Sequence, residues 1–98
     1  MSDERDLPIP GDVALDPKAQ EVFRAWVANG QLICALRPTR WKDASAWGIL
    51  LADAARHVAN AIRDEVGDEP NATVAKIRDM FNRELKDPTD EPTGSFAE

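Results

Sequence analysis

Between two apolar runs in RAWVANGQLICALRP, residues 24–38, stands Asn29-Gly30, and this dipeptide limits what the chain can fold into more than any other feature. Asn-Gly in that setting favours a two-residue type I′ turn, because both central residues of such a turn need positive φ. With the turn in place Ala28 faces Gln31, and Val27, Ala25 and Phe23 fall opposite Leu32, Cys34 and Leu36. These last three pairs share one side of the ribbon, and every member is apolar. The other side holds Arg24, Trp26, Gln31, Ile33, Ala35 and Arg37. On that mixed face Trp26 and Ile33 form a cross-strand apolar pair that needs cover, from a tail or from a second subunit.

A helix competes for the same segment. Asp16 can cap it, Pro17 suits a first helical position, and Gly30 accepts the left-handed conformation beyond a helix end. Ala19, Val22, Phe23, Trp26 and Val27 also fall on one helical face. A helix gives no reason for the apolar match across the turn. Residues 21–37 therefore read as a hairpin, with one helical turn at 17–20 leading into a strand from Glu21.

Pro38 ends the second strand, and residues 37–43 read as a loop. DASAWGILLADAARHVANAIRDEVG, residues 43–67, reads as a helix, with Asp43 or Ser45 at its start and Gly67 at its end. Trp47, Leu50, Leu51, Ala54, Val58, Ala61 and Ile62 follow the spacing of a buried stripe. Gly48 inside the pattern suggests a close backbone approach or a late helix start. A second helix runs from Pro70 or Asn71 to Lys86 with Val74, Ile77, Phe81 and Leu85 in one stripe, closed by Asp87-Pro88. The expected fold class is α+β, an antiparallel β-hairpin followed by two α-helices packed on one sheet face.

AWGILLADAARHVANAI, residues 46–62, resembles the signature helix of a small family of uncharacterised bacterial proteins. VANGQLICALRP ahead of it is similar to the stretch that precedes that helix in the family. The similarity covers residues 22–62. It implies a shared domain of unknown function, and no activity comes with it.

The chain has 98 residues, which bounds it to one domain. Residues 1–12 and 87–98 are rich in Pro, Asp and Glu and read as disordered acidic tails, leaving 13–86 as the domain. A folding unit that small buries only about 60% of the surface of its unfolded chain, so self-association would stabilise it. The net charge is −6. It resides in the tails, where Asp3, Glu4, Asp6 and Asp12 face a single Arg5, and Asp87, Asp90, Glu91 and Glu98 face no base. The middle is close to neutral, which argues against a nucleic-acid partner. Cys34 is the single cysteine, so no intrachain disulfide forms. The acidic N-terminus is unlike a signal peptide, and no apolar run approaches the ~20 residues of a membrane-spanning helix. A cytoplasmic protein is expected.

Three constellations are candidates for chemistry. Asp53 and His57 stand four apart on one helix, where a carboxylate beside an imidazole can tune a base, with Arg56 available to hold an anion. The plain reading is a solvated pair that supports the helix, and no third metal ligand accompanies it. Cys34 and His57 could face each other across the sheet–helix interface as thiol and base, but a cysteine beside Phe23 and Leu36 reads as packing. RPTRWK, residues 37–42, sets Arg37, Arg40 and Lys42 around Trp41, an arrangement that can stack a base or hold an anion. It equally describes a loop whose tryptophan packs over the helix start near Trp47. No P-loop, GxGxxG, HExxH or nucleophile elbow is present, so no cofactor and no metal are expected. The reading these features favour is a non-enzymatic interaction module, most simply a homodimer touching through Trp26, Ile33 and Arg24. The alternative is small-ligand or anion binding, possibly with catalysis, at Asp53, Arg56 and His57.

Overall fold

Asn29 and Gly30 have φ of 52° and 74°, so the backbone makes the left-handed turn and β1 (Phe23–Ala28) folds back on β2 (Gln31–Leu36). The register is the one read from the sequence: Phe23 pairs with Leu36, Ala25 with Cys34, and Val27 with Leu32. In this computed structural model residues 5–89 and 93–96 are described. Ahead of the hairpin a single helical turn, α1 (Gly11–Ala14), stands earlier in the chain than the expected turn at 17–20. Asn29-Gly30 is where substitution should be felt. Valine at Gly30 would place a β-branched side chain at positive φ, costing about 2 kcal/mol and lowering the unfolding midpoint by about 10 °C. Gly30→Asn, which tolerates that φ, should remain close to the parent in the same melting experiment.

The two expected helices follow as α2 (Ser45–Val66) and α3 (Pro70–Lys86). Asp43 accepts the Ser45 amide at 2.9 Å just before α2 begins. Gly67 closes α2 at φ 85°, its N–H donating to the Arg63 carbonyl at 2.8 Å. Gly48 lies in the first turn of α2, and no neighbouring element comes within 4 Å of where its Cβ would stand. The close approach that its presence suggested is therefore not made within the protomer. Glu69 starts α3 by accepting the Asn71 and Ala72 amides at 3.0 and 2.9 Å, while Pro70 takes the position whose N–H would be orphaned. The short connection between them makes α2 and α3 an antiparallel pair that packs together, and Ala59 of α2 has 0% of its surface exposed.

The fold is α+β, a hairpin followed by two helices. One element exceeds the expectation: β3 (Thr93–Phe96) pairs in parallel with β2, so β2 is central in a three-stranded sheet of order β1-β2-β3. The solvated tail expected over 87–98 thus contains a strand. Residues 1–4, 90–92 and 97–98 of the two expected tails lie outside the described residues. The start of α2 meets the sheet on the face that carries Phe23, whose ring lies edge-on to Trp47 with centroids 6.3 Å apart. Among the described residues no close main-chain approach joins helices to sheet, so this contact is made by side chains. Among the same residues no helix is long and apolar enough to cross a membrane.

Candidate functional site

Asp53 and His57 do not meet. The Asp53 carboxylate takes the Arg56 guanidinium instead, at 3.3 Å, with both side chains well exposed. An exposed i,i+3 ion pair of this kind is worth a few tenths of a kcal/mol and leaves the imidazole to solvent. His57 is exposed, and none of the three residues lines either of the two cavities described below. Cys34 is a half-buried free thiol in the inner sheet face. Among the described residues no group of three or more His, Cys, Asp or Glu side chains could hold a metal ion.

The basic loop is spent on structure. Arg37 donates from Nε to the Glu21 carbonyl at 3.0 Å, and its amide reaches the Val22 carbonyl at 3.1 Å, so it extends the hairpin by one more pair. Arg40 lies over the Trp41 ring at 5.7 Å. Trp41 in turn stands edge-on to Trp47 with centroids 5.2 Å apart, and the Trp47 indole donates to the Pro38 carbonyl at 3.2 Å. Phe23, Trp47 and Trp41 therefore form one aromatic chain that links strand, helix start and loop. It sits where the sheet would otherwise part from the helices.

Two carboxylates are tuned by local caps. Amide and hydroxyl bonds from Ser45 hold the Asp43 carboxyl below its ordinary range, and the Thr89 hydroxyl and amide do the same for Glu84. Stability from such depressed groups is complete above the ordinary carboxylate range and fades as pH falls through the lowered folded values. Both lie at element ends, far from any cleft chemistry.

A concave surface runs along β1. A groove of about 490 Å³ lies between residues 5–10 and the strand, lined by Leu7, Ile9 and Glu21–Trp26 among others. A second hollow of about 520 Å³ continues past Arg5, Trp26, Val27 and Ile33. Arg24 pairs with Glu21 at 2.8 Å and lies over the Trp26 ring at 5.5 Å. The Arg24, Trp26 and Ile33 set expected at an interface is thus gathered beside this groove, whereas Asp53, Arg56 and His57 stand apart on α2. The groove itself was not foreseen. Its signal in the sequence was Leu7-Pro8-Ile9-Pro10, apolar residues interleaved with prolines inside a segment read as solvated.

A family model described as a domain of unknown function, DUF5076, matches residues 6–89. Comparison with proteins of curated function gives no match. Among solved structures, this chain is similar to one from the photosynthetic bacterium Rhodopseudomonas palustrus that is provisionally named a pyruvate dehydrogenase. The two are 36% identical over 95% of each chain, with a TM-score of 0.72.

Proposed function

The chain belongs to the DUF5076 family, and we propose that it works as a homodimerisation module, a non-enzymatic domain acting through protein contacts. One observation carries this reading: side chains with the spacing of a core are left in water by the protomer. Among the described residues Ala59 alone is a buried hydrophobic, while Val27 is 81% exposed, Val58 48%, Phe81 44% and Leu85 70%. Fully covering such a side chain is worth about 1.5–3 kcal/mol. A handful of them covered together is of the order of the ~4–15 kcal/mol of freedom lost on association. A second copy offers that cover without any further partner. The pyruvate dehydrogenase name belongs to the Rhodopseudomonas chain.

Sedimentation velocity across a dilution series tests the reading. The expected result is a dimer that gives way to monomer only on dilution. A monomer at every concentration from micromolar to millimolar would reject it.

A further inference from the structure

The free edge of β1 is a candidate for the seam of such a dimer. Ala28 and Gln31 flank a two-residue turn, so they exchange main-chain hydrogen bonds, and alternation makes Trp26–Ile33 and Arg24–Ala35 the next bonded pairs. The Arg37 amide bond to the Val22 carbonyl continues the series. The N–H and C=O groups of Phe23, Ala25 and Val27 must therefore point the other way, out of the sheet. β1 is an edge strand, and among the described residues no main-chain bond joins residues 6–10 to those groups. Pro8 and Pro10 lack the N–H that a ladder would need, and the segment flanks the groove beside the strand, so edge pairing displaces it without breaking a β1 main-chain bond.

We infer that β1 pairs antiparallel with β1 of a second copy of this chain, with Ala25 facing the partner's Ala25. This rests on the dimer reading and states its geometry. The register is chosen by three features. It sets Phe23 opposite the partner's Val27 and Val27 opposite the partner's Phe23, so all three outward-pointing residues of each strand find bonded partners. A shift that centred the two-fold on Arg24 would oppose like charges, whereas this register places Arg24 opposite the partner's Trp26, extending the contact that Arg24 already makes with its own Trp26 ring. The third feature is cover. Each inner face is partly covered at its Phe23 end by Trp47 and open at its Val27 end. Antiparallel pairing brings the better-covered end of one copy beside the open end of the other. The contact is isologous and closes on itself, as a two-fold dimer requires.

The test uses the full chain with two variants. Ala25→Pro removes an N–H that points outward, so it spares the β1–β2 ladder and blocks only edge pairing. It should weaken dimerisation by about 100-fold or more, with the far-UV spectrum retained. Ala25→Cys in a Cys34→Ser background, which removes the thiol across the hairpin, should be joined to its partner by a short bis-maleimide cross-linker, since a directly opposed bonded pair has its Cα atoms about 5.5 Å apart and both side chains on one face. Val66→Cys in the same background should not. A dimer that persists in Ala25→Pro, or Ala25→Cys that stays unlinked while dimeric, would overturn the edge pairing and leave the dimer itself standing. If Ala25→Pro fails to fold, the cross-linking result decides alone. A parent chain that is monomeric throughout would overturn both.

Discussion

Replacing Trp47 with alanine is expected to lower the unfolding midpoint by about 12 °C or more, the largest effect of any aromatic truncation in the chain, from a loss of about 3 kcal/mol. Trp47 touches everything that joins the two layers: the Phe23 ring of β1, the Trp41 ring of the loop and the Pro38 carbonyl. Because the sheet and the helical pair have no close main-chain approach among the described residues, little else can substitute. The change should also alter the order of unfolding. Aromatic near-UV signal should fall before helical far-UV signal, as the sheet parts from helices that still pack on each other. A single coincident transition at an unchanged midpoint would show that the layers are held by something other than this aromatic chain. Trp47→Phe, which keeps a ring for Phe23 and Trp41 but drops the bond to Pro38, should fall between the two.

Ala59→Asp should be comparably severe for the other half of the molecule. Ala59 has no exposed surface, and it lies on α2, which packs against α3. A carboxylate there would be desolvated with no partner beside it, since no described buried polar group waits at that position. Burying an unpaired charge costs several kcal/mol, or drives uptake of a proton at similar expense. Helical far-UV signal should be lost cooperatively, and the loss should be milder at low pH where the carboxyl is neutral. Ala59→Gly offers the contrast: it removes one methyl and some helix propensity, so about 1–2 kcal/mol is expected. Circular dichroism melts of the two variants at pH 4 and 7 would check both claims.

The hairpin was legible in the sequence because Asn29-Gly30 fixes both a turn type and a register. Once the turn is placed, every cross-strand pair follows, and the all-apolar set Phe23, Ala25, Val27, Leu32, Cys34 and Leu36 confirms the choice. The helices were legible for a similar reason, since Gly67 and Pro70 punctuate a steady 3/4 spacing. β3 was not. TGSF has no apolar alternation, it sits among Pro and acidic residues, and its partner β2 lies far back in the chain, so no local signal reveals it. The Asp53 and His57 pair illustrates the opposite failure. Four-residue spacing permits the contact, but Arg56 carries a permanent charge on a long stem, and the carboxylate takes it. The basic loop was read in two ways, and its Trp41 packs against Trp47 near the start of α2. Beside β1, Arg24, Trp26 and Ile33 do gather, but the apolar residues of Leu7-Pro8-Ile9-Pro10 hint at a contact without saying where residues 5–10 lie, so the groove's place does not follow from the sequence.

The central claim is that the protomer leaves its fold incomplete and a second copy completes it. Thermal unfolding followed at protein concentrations spanning two or more decades tests that claim most directly, because association stabilises only the folded state. The midpoint is predicted to climb steadily with concentration. A midpoint that stays constant across the whole range would contradict the account.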